Sequence, residues 1–102
     1  MITANASYTL EEGRKVFFES LDILCTPTVH DDSGMVRVQM DVRVDAGTVV
    51  GSAILELTYA EVDAFTGTGS TDVEVFYNQC EQAVDDYLSG ITENSGVTFT
   101  IT

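Results

Sequence analysis

The chain has 102 residues, 44% of them hydrophobic, and sets 17 carboxylates against four Lys and Arg for a net charge of −13. One domain with one modest core is the expectation at this length, and no apolar run approaches the ~20 residues that span a bilayer. Arg14, Lys15, Arg37 and Arg43 are the only cations, so residues 44–102 hold ten carboxylates and no Lys or Arg; this weighs against nucleic-acid backbones and anionic membranes as partners.

An acidic balance of this size fits a solubilised surface, a basic protein partner or adaptation to high salt. Met1–Asn5 lacks the basic and apolar parts of a secretory signal, so a cytoplasmic or virion location is expected. The two cysteines, Cys25 and Cys80, form no CxxC and have one histidine between them, His30. Zinc is not expected; a reduced, buried thiol is the ordinary reading for Cys80, and a bridge between the two cysteines is the lesser alternative.

In chain order, residues 2–8 read as a short extended segment, an edge strand or an arm. Thr9-Leu10-Glu11-Glu12 has the form of a capping box, and Leu10, Phe17, Leu21 and Leu24 fall in one arc at 3.6 residues per turn. This predicts a helix over about 9–24, with Gly13 costing it about 1 kcal/mol relative to alanine. Thr26-Pro27 closes that helix, because the residue before proline is pushed out of helical geometry. Thr28–Gly34 is then a loop.

From Met35 the pattern changes to period 2. Val36, Val38, Met40, Val42 and Val44 alternate with Arg37, Gln39, Asp41, Arg43 and Asp45, and Val49, Gly51, Ala53, Leu55 and Leu57 alternate after a turn at 45–48. This is a hairpin, 35–45 and 48–58. Pairing residues whose numbers sum to 93 puts every apolar residue opposite another and Arg37 opposite Glu56. A four-residue loop keeps that register, whereas a three-residue Gly-bulge loop shifts it by one.

Thr58-Tyr59-Ala60-Glu61 is a second capping box, opening a short helix with Val62 and Phe65 as its apolar contacts. Thr66–Ser70 reads as a spacer. Thr71-Asp72-Val73-Glu74 is a third box, and Val73, Phe76, Tyr77, Cys80, Val84, Tyr87 and Leu88 make one apolar face of a helix over about 71–89, with Gly90 at its C′ position. Glu93–Gly96 turns the chain into a last strand in which Val97, Phe99 and Ile101 alternate with Thr98, Thr100 and Thr102. The expected fold is α+β, a mainly antiparallel sheet around the 35–58 hairpin with two main helices on one face.

Chemistry-bearing residues are sparse. His30-Asp31-Asp32 is the one cluster of ligand type, and its bland reading, a polar loop beside a hairpin, is the better one. Asp85-Asp86 with Glu81 and Gln82 reads as a solvated helix flank. No nucleophile–base set is arguable with a single histidine, so no catalytic, metal or cofactor site is assigned. The outer sheet face carries more information. Val50 and Ile54 point away from the helices, and Thr98, Thr100 and Thr102 form an uncharged stripe on a strand with no lysine or proline guarding its edge. These five residues are the candidate interface.

The element order from Thr9 onward, a helix, a β-hairpin, a second helix and a closing strand, resembles that of small phage virion proteins of the ring-forming tail-terminator and neck type. The resemblance is one of topology and carries no residue motif. It implies a non-enzymatic subunit of an oligomeric assembly, held by protein partners or copies of itself. The alternative class is an acidic inhibitor that imitates nucleic acid and occupies a basic protein.

Overall fold

The computed structural model describes residues 1–11, 14–16 (backbone alone), 22–30, 32–44 and 47–102. Its elements are β1 (Ile2–Ala4), β2 (Tyr8–Glu11), β3 (Arg14–Val16), β4 (Asp22–His30), β5 (Met35–Val44), β6 (Thr48–Thr58), α1 (Tyr59–Asp63), α2 (Asp72–Gly90), a 3-10 turn at Thr92–Asn94, and β7 (Phe99–Ile101). Five strands form one antiparallel sheet in the order β6-β5-β4-β1-β7, and β2 and β3 pair separately. The fold is α+β, with one main helix and one short one.

The hairpin of β5 and β6 follows the period-2 pattern. Met35 to Val42 pair with Thr58 to Gly51 at a constant sum of 93, so Val36, Val38, Met40 and Val42 are all buried on one face. Nearer the turn the register changes: Arg43 faces Val49 and Val44 faces Thr48, leaving Val50 as an extra residue. Three residues separate Val44 from Thr48, and the Gly47 amide donates to the Val44 carbonyl at 3.3 Å. The tip pairing is that of the three-residue option, not the four-residue one, and a bulge cancels its offset so that the sum of 93 holds from Val42 onward. The hairpin lies at one end of the sheet, not at its centre.

The helix expected over 9–24 is overturned in the described residues. Tyr8–Glu11 and Arg14–Val16 form strands, and Asp22–His30 is a strand paired along its whole length with β5. Residues 12–13 and 17–21, including Glu12 of the expected capping box, lie outside the described residues. The physical reason is a second periodicity. Ile23, Cys25, Pro27 and Val29 alternate, and they meet Val42, Met40, Val38 and Val36 across the ladder. Pro27 sits beyond the Asp22–Ile23 stretch that β1 covers. Its missing amide proton is tolerated there, at an open strand edge. Asp32–Gly34 forms a turn between β4 and β5, where the Ser33 amide donates to the His30 carbonyl at 3.2 Å and Gly34 sits at φ 67°.

The segment expected as an edge strand or arm is internal. β1 fills the slot between β4 and β7, pairing Ile2 with both Ile23 and Ile101. Ile2, Ala4, Ile23, Cys25, Val36, Val38, Met40, Val42, Ala53 and Leu57 make the sheet's inner layer. α2 closes it with Cys80, Ala83, Val84 and Leu88. Tyr8 adds an edge-to-face ring contact with Phe99, centroids 5.3 Å apart. Each fully buried large side chain contributes roughly 1.5–3 kcal/mol to holding these layers together.

The caps hold α1 and α2 in place. Thr58 Oγ1 accepts from the Glu61 amide at 3.1 Å, and Glu61 Oε1 accepts from the Thr58 amide at 3.0 Å. At α2 only half of the box forms. Thr71 Oγ1 accepts from the Glu74 amide at 3.2 Å, while the Glu74 carboxylate turns to the Ser70 amide at 2.8 Å. Gly90 is the last helical residue and Ile91 the C-cap, so no left-handed glycine ends this helix. Val73, expected on the apolar face, is 77% exposed. The expected spacer before α2 is stitched down: Asn78 donates to the Thr68 carbonyl and Gln79 to the Phe65 carbonyl, both at 3.0 Å. A Cβ on Gly67 would lie 2.2 Å from the Val75 carbonyl oxygen, so only glycine permits that approach.

Candidate functional site

The outer face of the sheet carries Arg37 and Arg43 together with the exposed Val49, Val50 and Ile54. Alternation along β5 sends Arg37, Gln39, Asp41 and Arg43 outward, opposite the inward valines. The 93-sum register brings Arg37 Nε to 3.1 Å from Glu56 Oε1. Both are half exposed, so this pair is worth little to stability but neutralises the edge locally. Asp41 Oδ1 accepts from Gln39 at 2.9 Å and from Ser52 at 2.7 Å. Those two bonds, Gln39 first, hold its carboxyl below the usual carboxylate range, with Arg43 adding to the effect. Arg43 also lies 3.9 Å from Asp22.

Val50 and Ile54 are 52% and 58% exposed on this face, with Val49 beside them. Thr98, Thr100 and Thr102 are exposed as well. The structure does not bring the five together: Val50 and Ile54 lie on β6, the Thr stripe lies along β7, and β5, β4 and β1 separate them. One flank of the Thr stripe is occupied by the chain itself. Thr100 pairs with Thr3, the Thr98 amide donates to Asn5 Oδ1 at 2.9 Å, and the Thr102 amide donates to the Met1 carbonyl at 2.9 Å. The β7 flank away from β1 has no strand partner among the described residues, and β6 pairs with β5 alone.

His30 ends β4 opposite Met35, Asp32 is exposed in the turn, and Asp31 lies outside the described residues. Among the described residues no group of three His, Cys, Asp or Glu side chains could hold a metal ion. Two open grooves lie among the described residues, one beside Tyr59, Val62 and Phe76, the other beside Thr68, Val73 and Tyr77. Neither gathers a nucleophile with a base. Cys25 and Cys80 are free and buried. Burial, aided by the Glu81 charge, pushes the Cys25 thiol up to about 12, and burial pushes Cys80 up to about 11. Neither is a poised nucleophile at neutral pH.

The α2 flank departs from its solvated reading. Glu81 is buried and pairs with the Met1 ammonium at 2.5 Å. Asp85 is half-buried, and its Oδ1 accepts no hydrogen bond among the described residues. Burial first, and the Asp86 charge second, push the Asp85 carboxyl above its ordinary range. The folded chain therefore binds this proton more tightly than the unfolded chain, and stability falls as pH rises through the raised value. Asp85→Asn is expected to raise Tm at pH 7, with the gain shrinking below about pH 4, where the carboxyl is protonated in both states. Thermal melts at both pH values check this, and an equal gain at each would assign the effect to something other than charge.

No protein-family model matches the chain, and neither curated proteins nor solved structures contain a match to it. Among the described residues, no helix is long and apolar enough to cross a membrane.

Proposed function

We propose that the chain is a non-enzymatic structural subunit of a larger protein assembly, a virion particle being the setting that its resemblance to phage neck and tail-terminator proteins implies. The observation that carries this is the open edge of β6. It is an 11-residue strand with no lysine or proline, paired on one side only among the described residues and showing Val49, Val50 and Ile54 to solvent. Monomeric proteins guard such edges, because unpaired amides and carbonyls recruit further strands. Of the elements behind the resemblance, the hairpin, α2 and the closing strand are present, and a β-hairpin and strand stand where the first helix was expected.

Light scattering across concentration and salt tests the reading. Association is expected to strengthen with salt, since a charge of −13 on every copy opposes contact until screened. Ile54→Lys, exposed on the outward side of β6, is expected to leave the fold intact and to weaken assembly. A wild type that stays monomeric at high concentration and salt, with every partner interaction unchanged by Ile54→Lys, overturns it.

The second reading, an acidic inhibitor of a basic protein, is favoured by one feature. Glu61, Asp63, Asp72, Glu74, Asp86 and Glu93 are all exposed on the helical layer, which contains no Lys or Arg. Binding to a basic partner that Asp86→Asn and Glu93→Gln weaken, with no self-association, would favour it.

A further inference from the structure

Glu81 is the one acidic side chain of α2 that the fold buries outright, at 3% exposure, alongside Cys80, Val84 and Leu88. Its own helix offers it no cation, because α2 contains no Lys or Arg. Oε2 of Glu81 instead accepts from the Met1 ammonium at 2.5 Å, and among the described residues this is its only ion pair. The ammonium also donates to the Thr102 carbonyl at 3.1 Å, while the Met1 carbonyl accepts from the Thr102 amide at 2.9 Å. Those two bonds extend the β1–β7 ladder by one pair beyond Ile2 and Ile101. Met1 Sδ accepts from Arg43 at 2.9 Å, which holds the residue against β5 as well.

A carboxylate kept from water is costly unless a cation or several donors meet it. Here the compensation comes from one nitrogen, and what that nitrogen supplies depends on its covalent state. As an ammonium it has a positive charge and three N–H donors, which serve Glu81 and the Thr102 carbonyl together. As an amide it has no charge and a single N–H. That donor can serve Thr102 or Glu81, not both.

We propose that the Met1 nitrogen is a modification site whose covalent state sets the stability of the fold: the free ammonium latches β1 to α2 through Glu81, and acylation releases the latch. The reagent is an acyl thioester. Its carbonyl carbon forms a bond to the Met1 nitrogen, and its C–S bond breaks. Of the three ammonium protons one stays on the amide, one goes to solvent and one leaves on the thiol. In the folded chain the nitrogen is held by two acceptors, so the transfer takes place before β1 enters its slot. A peptide bond to a preceding residue acts on Glu81 in the same way, since it too leaves an uncharged nitrogen with one N–H.

The latch sits where little else secures β1. The strand is three residues long and pairs with β4 only through Ile2 and Thr3. It is also the sole strand partner of β7 among the described residues. Its release withdraws Ile2 and Ala4 from the core and leaves both β4 and β7 without their common neighbour. The contact is made within one chain and needs no partner.

The test compares full chains with a free and with an acetylated Met1 nitrogen, the second made by co-expression with an Nα-acetyltransferase and both verified by mass. Wild type and Glu81→Gln are each unfolded in urea. Acetylation of the wild type is expected to lower the midpoint, by roughly tenfold or more in the folding equilibrium constant. Glu81→Gln is expected to lower the midpoint of the free-amine chain and to raise that of the acetylated one, because glutamine has no charge to strand. Amide exchange in β1 is expected to quicken on acetylation of the wild type, and more than in β5. Equal midpoints for the two wild-type forms, or unchanged exchange in β1, overturn the proposal. So does an equal loss on acetylation in Glu81→Gln, which would assign the effect to the bulk of the acetyl group. If the acetylated wild type does not fold at all, an acetylated Glu81→Gln chain that folds supports the latch, and one that does not fold overturns it.

Discussion

Val38→Asp is expected to abolish the folded state at 25 °C, seen as loss of a cooperative urea transition by circular dichroism. Val38 has no exposure and lies between Pro27 and Leu55 on the buried side of the sheet. Among the described residues no Lys or Arg is buried, so the carboxylate would be desolvated without a cationic partner there. Such a group costs several kcal/mol, a large share of the roughly 5–15 kcal/mol that stabilises a domain. Gln39→Asp, one residue along and exposed, is expected to cost about 1 kcal/mol at most, chiefly through its lost hydrogen bond to Asp41. Equal losses in the two variants would mean the facing of β5 is wrong.

Asn94→Ala is the second large effect. Asn94 is 1% exposed, and its side chain pairs with the backbone of Thr9 as a neighbouring strand would. Oδ1 accepts from the Thr9 amide at 2.6 Å, and Nδ2 donates to the Thr9 carbonyl at 2.9 Å. Nδ2 also reaches the Leu88 carbonyl at 2.9 Å, which keeps a second donor in the Ile91 amide. Removing the amide orphans both buried Thr9 groups at about 1–3 kcal/mol each. A loss of about 2–5 kcal/mol is expected from the shift in urea midpoint at constant slope. A shift worth less than about 1 kcal/mol would show that water or a rearranged backbone replaces the side chain.

These two residues also mark what was legible from sequence. The facing of Val38 and the Arg37–Glu56 pair follow from strict alternation and one register, because a half-buried sheet writes its two faces directly into the chain. α2 was legible for a similar reason, a capped helix with one sustained apolar stripe. β4 was not. Leu21 and Leu24 keep helical phase with Leu10 and Phe17, and Pro27 reads as a helix stop. The competing alternation of Ile23, Cys25 and Val29 gains its meaning only from Val42, Met40 and Val36 across the ladder. Tertiary pairing decided between two local patterns of similar strength. Asn94 was hidden differently: it sits in a run of turn residues, and its partner is 85 positions away.

Of the candidate interface, exposure of all five residues was legible, but not their division between opposite edges of the sheet, since strand order depends on β1 entering between β4 and β7. Nothing in the local sequence of Ile2–Ala4 distinguishes an inner strand from an arm. The slot is defined by chain almost a full length away, at Ile101.

The extra residue at Val50 separates two demands that a hairpin usually ties together. The tip prefers three residues between Val44 and Thr48, whereas the sheet needs Val42 to face Gly51 and every later pair to keep its side. Because the offset is absorbed at Val50, the length of the tip and the facing of the core are set independently. The loop is then free to gain or lose a residue, with the bulge closing or reopening, while the buried ladder from Val42 to Val36 stays in step. Change at this exposed corner stops a few residues from where it starts.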